Sequence, residues 1–183
     1  MLDIIKDLVK SNPGQLSIDE YTKIYDTIKN DDGLNVLIFG IGNDSFLWQD
    51  ANKNGRTVFL ENSREWIDKI KRTNDTLDVR EIEYTTNASD WKVLIDDTDA
   101  LLLNLSDDII NTEWDYIFVD SPLGGGPGRM QSIYTASTLK CEKYFLHDAD
   151  RVIECTYGDL YLGKCVETLD RLKYYEGGYN AKR

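Results

Sequence analysis

The sequence is poor in proline, cysteine and histidine, with three, three and one residues among 183, and it is short of positive charge. Each shortage excludes something. Cys141, Cys155 and Cys165 are odd in number and form no C-x-x-C pair, so they read as free thiols of a reducing compartment, and zinc binding through cysteine is disfavoured. No apolar run approaches the roughly 18 residues of a membrane-spanning helix. The start, Met1-Leu2-Asp3-Ile4-Ile5-Lys6-Asp7, alternates acidic and apolar residues and lacks the basic opening and apolar stretch of a signal peptide. The expected location is therefore cytoplasmic, with no membrane partner. Lysine and arginine total 21 against 33 acids, a net charge of −12. Such a surface repels phosphate backbones and forgoes counterion release, so nucleic acid is not an expected partner.

What is present is a globular composition, 41% hydrophobic and 30% charged, in a length suited to one domain over 1–183. We divide it into N-terminal helices (1–33), a core (34–155) and a C-terminal segment (156–183). Leu2, Ile4, Ile5, Leu8 and Val9 fit a short amphipathic helix ended by Asn12-Pro13-Gly14. Ser17-Ile18-Asp19-Glu20 has the form of a capping box and predicts a helix from Ile18 to Lys29. Asn35-Val36-Leu37-Ile38-Phe39 then has no polar face, the pattern of a strand buried on both sides of a parallel sheet. Similar runs recur at Thr57–Leu60, Tyr116–Val119 and Tyr144–Leu146, with a weaker strand at Val79–Tyr84. Helices are expected at Asp44–Asn52, Ser63–Thr73 and Met130–Lys140. This alternation implies βαβ units, and Lys164–Glu167 with Arg171–Tyr175 predicts an antiparallel hairpin.

In such a fold, ligands lie at the carboxyl ends of the strands. The first strand runs into Gly40-Ile41-Gly42-Asn43-Asp44-Ser45. Two glycines allow a tight turn and close backbone approach to a ligand, and Asp44 or Ser45 is placed to cap the helix starting near Phe46. A plain turn can look the same, and Ser45 replaces the third glycine of the dinucleotide fingerprint. Glu61 ends the second strand, 21 residues after Gly40. An acid here accepts ribose hydroxyls in dinucleotide and S-adenosylmethionine folds alike.

The fourth strand runs into Asp120-Ser121-Pro122-Leu123-Gly124-Gly125-Gly126-Pro127-Gly128-Arg129-Met130. Glycine is the costliest residue to order, so a loop this rich in it points to function. Asp120 is expected on the rim of the cleft, and the rigid fork of Arg129 suits a carboxylate or sugar hydroxyls. The fifth strand ends in His147-Asp148-Ala149-Asp150-Arg151, so any imidazole chemistry must pass through His147. Asp148 or Asp150 then serves as base, metal ligand or orienter of the imidazole.

Read in order, the blocks are Ser17–Glu20, Val36–Trp48, Gly55–Asn62 with Trp66-Ile67, Trp114-Asp115 into Val119–Pro122, Pro127–Met130 with Ile133–Ala136, and His147–Arg151. Over residues 17–155 they resemble the plant glucuronoxylan O-methyltransferase and irregular-xylem family. The resemblance implies an α/β, class I Rossmann-like methyltransferase fold, with a mostly parallel sheet and helices on both faces. It also implies methyl transfer from S-adenosylmethionine to a sugar hydroxyl, which in the plant enzymes is the 4-hydroxyl of glucuronic acid on xylan. The Golgi anchor of the plant proteins is not expected here, and the sequence departs from the family in the loop Gly124–Gly126, in Ser121, and in the tail beyond Cys155. The acceptor is thus expected to be an oligo- or polysaccharide, bearing a glucuronic acid-like sugar or a deoxysugar such as rhamnose.

On this reading Gly40, Gly42, Asn43, Asp44, Ser45, Glu61, Asn62 and Asp120 bind the cofactor, with Trp66 an adenine neighbour or a core residue. Arg129, Asp150 and Arg151 bind the acceptor. Asp120, His147 and Asp148 are the catalytic candidates, in one of two arrangements. In one, His147 or Asp148 is the general base and Asp120 positions it. In the other, Asp120 and Asp148 with His147 hold a divalent cation that acidifies the hydroxyl. Oxygen ligands favour magnesium or manganese, and the imidazole admits later metals such as cobalt. Two rivals stand against a methyltransferase: an NAD(P)-dependent oxidoreductase, which needs the same glycine turn and ribose acid, and a catalytically inactive glycan-binding relative.

Overall fold

The computed structural model describes residues 1–123 and 125–177; Gly124 and the end of the C-terminal segment, 178–183, lie outside the described residues. Helix α1 (Leu2–Ser11) turns Ile5 and Leu8 inward and stops at Asn12. Helix α2 (Ile18–Lys29) opens on the expected reciprocal cap. Ser17 Oγ accepts the Glu20 N–H at 3.3 Å, and Glu20 Oε2 accepts the Ser17 N–H at 2.7 Å. Two otherwise orphaned donors are thereby satisfied.

The strands are β1 (Asn35–Phe39), β2 (Arg56–Glu61), β3 (Asp78–Glu81), β4 (Tyr116–Val119), β5 (Lys143–Leu146), β6 (Lys164–Leu169) and β7 (Leu172–Glu176). They form one sheet in the order β3-β2-β1-β4-β5-β7-β6. Neighbours among β1 to β5 run parallel, whereas β7 lies antiparallel to both β5 and β6. The expected hairpin therefore extends the sheet beyond β5. Strand β3 starts and stops earlier than the expected Val79–Tyr84. Its register pairs Val58–Glu61 with Asp78–Glu81, and beyond Glu61 no partner strand remains.

Alternation along β1 divides the core. Leu37 and Phe39 face a cluster with Leu60, Val119, Met130, Ile133, Tyr157 and Tyr161, which brings in α8 (Met130–Thr138) and α9 (Val152–Tyr161). Val36 and Ile38 face the opposite cluster, with Ile24, Ile28, Trp48, Phe59, Ile70 and Phe118. That side is covered by α1, α2, α3 (Ser45–Ala51) and α4 (Arg64–Lys71). Burying each such side chain is worth about 1.5–3 kcal/mol, so the run with no polar face is explained by two covered faces. Between β3 and β4 the chain makes short turns, α5 (Trp91–Leu94), α6 (Thr98–Leu101) and α7 (Asp107–Asn111). Strand order reverses between β1 and β4, which opens a crevice at their carboxyl ends. Among the described residues, no helix is long and apolar enough to cross a membrane.

Candidate active site

A cavity of about 600 Å³ fills that crevice, lined by Gly40, Ile41, Gly42 and Asp44 after β1, Glu61 at the end of β2 with Asn62 just beyond it, and Asp120 after β4. Gly40 has φ +119°, and a Cβ there would stand 3.0 Å from Ser121 Cβ, so only glycine passes without strain. Asp44 precedes α3 but its carboxylate makes no cap bond. Instead Tyr21 Oη donates to Asp44 Oδ2 at 3.4 Å, and Ser45 Oγ accepts the Gly42 N–H at 2.9 Å. The expected side-chain cap is thus absent, because Ser45 is spent on the turn and Asp44 on Tyr21. Burial, reinforced by the charge of Asp120, pushes the Asp44 carboxyl up to about 6.

Glu61 locks the turn to the second strand. Its Oε2 accepts the Ile41 N–H at 3.0 Å, and Oε1 accepts the N–H groups of Asn62 and Ser63 at 2.9 and 2.6 Å. Asn43 lines the cavity wall and donates to Asn12 Oδ1 at 2.6 Å. Trp66 lines the cavity with the Lys69 ammonium 3.8 Å from its ring centroid.

Opposite the turn, Asp120 presents one face to the cavity and one to a buried charged network. Its Oδ1 meets His147 Nδ1 at 2.9 Å and Arg129 Nη2 at 3.2 Å. Among the described residues, the side-chain hydrogen bonds of Asp120 go through Oδ1. Burial alone would raise the Asp120 pKa; the His147 bond and the charges of Arg129 and Arg171 outweigh it and hold the group below the usual carboxylate range.

His147 is 1% exposed and does not line the cavity. Its Nε2 has no hydrogen-bond partner among the described residues and lies 3.9 Å from Glu20 Oε2. Asp148, with φ +56°, also lies behind the wall. Its Oδ1 takes Arg171 at 2.7 Å, and its Oδ2 takes Arg129 at 2.8 Å and Arg151 at 2.9 Å.

Asp120, His147 and Asp148 are thus brought together, and each offers a ligand atom within 4.8 Å of the others. One imidazole and two carboxylates are a donor set that fits a divalent cation. Their order in space differs from the first expected arrangement: Asp120 faces the cavity, and His147 and Asp148 stand behind it. Arg129 was expected at the acceptor, but it is 2% exposed and its donors are spent on protein oxygens. Asp150 is exposed and lies outside the cavity lining, and Arg151 lines a separate hollow of about 220 Å³.

Sequence reasoning missed Tyr21, read only as a core position, and Glu20, read only as a cap. It also missed Arg171, which donates to Asp148 and to the carbonyls of Gly14 and Gln15. Its backbone N–H reaches Glu20 Oε1 at 2.8 Å. No local motif marks Arg171; only the antiparallel return of β7 brings it to the end of β5.

Sheet order, two helical layers, a glycine turn and an acid at the end of β2 define the class I, Rossmann-like methyltransferase fold. Solved structures agree. A Staphylococcus aureus protein assigned as a caffeoyl-CoA O-methyltransferase aligns with TM-score 0.57 at 12% identity, covering 96% of this chain and 92% of that one. A Pyrococcus furiosus methyltransferase aligns with TM-score 0.51 at 15% identity, covering 91% and 87%. Within this fold the chain belongs to the IRX15/IRX15L/GXM family, whose model matches residues 19–102 and 97–175. Protein IRREGULAR XYLEM 15 of Arabidopsis thaliana is 33% identical over 173 residues, 77% of this chain and 54% of that protein. Glucuronoxylan 4-O-methyltransferase 2 of the same plant is 30% identical over 189 residues, 88% and 65%. Arabinogalactan O-methyltransferase 2 is 28% identical over 194 residues, 88% and 67%. The chain thus spans 54% to 67% of the length of these relatives.

Proposed function

We propose that this chain transfers a methyl group from S-adenosylmethionine to a hydroxyl of a carbohydrate. The observation that carries the proposal is the single cavity in which the Gly40 turn, Glu61 and Asp120 meet. Family membership supports the same reading, since named relatives methylate glucuronoxylan and arabinogalactan. The acceptor class is therefore a glycan carrying a glucuronic acid-like sugar or a deoxysugar.

In this reading Gly40, Gly42, Asn43 and Ser45 shape the pocket for the methionine end, and Asp44 attracts its ammonium. Glu61 and Asn62 receive the ribose, and Trp66 borders the adenine. Methyl transfer is an in-line displacement at a sulfonium carbon, so alignment dominates the catalysis. The acceptor hydroxyl loses its proton as the new C–O bond forms and the C–S bond breaks. Asp120 Oδ2 takes that proton; its depressed pKa keeps the group ionised at neutral pH but lowers its basicity, so the proton leaves only as the C–O bond forms. His147 and Arg129 fix Oδ1, which makes them positioning residues. Asp120, His147 and Asp148 would hold a divalent cation, whose chemistry is to acidify a bound hydroxyl, only once Arg129 is displaced from both acids.

The proposal extends to the whole of 1–183 as one domain and to a cytoplasmic location, supported by three free thiols in the described residues. Neither nucleic acid nor membrane is a proposed partner, in keeping with the charge of −12. A nicotinamide enzyme finds no support among the relatives. The test is mass spectrometry of a panel of glucuronoxylan, arabinogalactan and rhamnose-containing oligosaccharides after incubation with methyl-labelled S-adenosylmethionine. Label in a sugar ether supports the reading. Binding of S-adenosylhomocysteine with no labelled product across the panel would leave the inactive glycan-binding alternative.

A further inference from the structure

Arg129 Nη2 stands 3.2 Å from Asp120 Oδ1 and 2.8 Å from Asp148 Oδ2. One nitrogen thus bridges the two acids that would otherwise hold a divalent cation with His147. The rest of the guanidinium is anchored. Its Nε donates to the Pro122 carbonyl at 3.0 Å, and Nη1 donates to the His147 carbonyl at 2.7 Å. Swinging Arg129 aside would break bonds to the loops that follow both β4 and β5.

The other charged groups facing this cluster are Arg151 and Arg171 on Asp148, Glu154 near Arg129 and Asp148, Asp44 near Asp120, and Glu20 beside His147. Of the two acids, Arg151 and Arg171 contact only Asp148 among the described residues, so Arg129 is the cation that the two acids share. A divalent ion entering the pair meets this fixed positive charge at close range in a poorly hydrated setting, where Coulomb terms are large. Buried acids deprived of their counter-charge attract another cation or a proton.

From this we infer that Arg129 is the resident counter-ion of the Asp120–Asp148 pair. It and a divalent cation are alternative partners of these acids, and Arg129 keeps the affinity of the site for the ion low. The inference deepens the site of the proposed methyl transfer but needs no step of that reaction.

The test is titration of purified protein with manganese(II), following free ion by electron paramagnetic resonance. Asp120→Asn serves as the blank that removes ion bound elsewhere on this acidic surface. Arg129→Gln should bind manganese at least about tenfold more tightly than the wild type, a difference of about 1.4 kcal/mol. Arg129→Lys, which keeps the charge, should stay close to the wild type. The inference is overturned if Arg129→Gln binds no more tightly, or if the lysine variant tightens as much as the glutamine one.

A second measurement covers an Arg129→Gln protein that fails to fold. With Arg129 in place, the wild-type melting temperature should rise no more with manganese than that of Asp120→Asn. A rise seen only in the wild type would show the ion engaging the pair despite Arg129, and would overturn the inference. Neither assay contains S-adenosylmethionine or an acceptor. Failure here therefore leaves the methyl-transfer reading untouched, and absence of methyl transfer leaves these results readable.

Discussion

Glu61 Oε2 accepts the backbone N–H of Ile41 at 3.0 Å, so the acid that ends β2 and the glycine turn after β1 form one unit. The same carboxylate holds two further amides at its own strand end. Whatever aligns the acid therefore also aligns the turn.

Replacing Glu61 with glutamine sets an NH₂ group against backbone donors and removes the charge. Hydrogen bonds to charged groups are worth about 1.5–3 kcal/mol. Glu61→Gln should therefore bind S-adenosylhomocysteine at least about tenfold more weakly, by calorimetry, and melt at a lower temperature. Unchanged affinity would remove Glu61 from the cofactor site.

Asp44 gives the site a pH dependence of definite sign. Its carboxyl is raised from 3.8 to about 6 by burial and then by Asp120. A raised acid favours the protonated fold. The stability it lends the ligand-free protein is full below about pH 4 and is lost as pH rises through about 6. Cofactor affinity should move the other way, because only ionised Asp44 attracts the ammonium. Calorimetry between about pH 5 and 8 should show S-adenosylhomocysteine binding strengthen as pH rises through about 6 and level off above it. Asp44→Asn should flatten the curve, and a wild-type curve as flat as the variant's would count against this role.

Asp148 ties Arg129, Arg151 and Arg171 together from a left-handed backbone position. Asparagine tolerates that backbone conformation but carries no charge. Breaking a buried ion pair by removing one partner costs about 3–5 kcal/mol, so Asp148→Asn should unfold at markedly lower denaturant. An unchanged midpoint would mean that the arginines are held by other contacts.

Much of this fold is legible in the sequence where physics is local. The capping box at Ser17 and Glu20 and the two-face-buried run Asn35–Phe39 match the structure residue for residue. The edge strand β3 was harder to bound, because its length depends on where β2 stops and not on its own composition. The short helices between β3 and β4 carry too few turns to show a period. The site was legible as strand ends: Gly40, Asp120 and His147 follow β1, β4 and β5, and Glu61 closes β2. Which side chain faces the cavity was not, since sequence position leaves orientation open. Hence Asp120 stands in front of His147, and Arg129 is buried behind the wall. Glu20 and Arg171 reach the cluster from elements remote in sequence, joined only by the way β7 returns along β5.

The central claim is that Asp120 receives the acceptor proton during methyl transfer from S-adenosylmethionine to a sugar hydroxyl. The most direct test compares the wild type with Asp120→Asn in transfer of labelled methyl to a glucuronic acid-bearing xylan oligosaccharide, alongside S-adenosylhomocysteine binding. General-base catalysis contributes about 10²–10⁴-fold, so the variant should lose at least about a hundredfold in turnover while binding the product cofactor nearly as well as the wild type. Full turnover in Asp120→Asn would contradict the account.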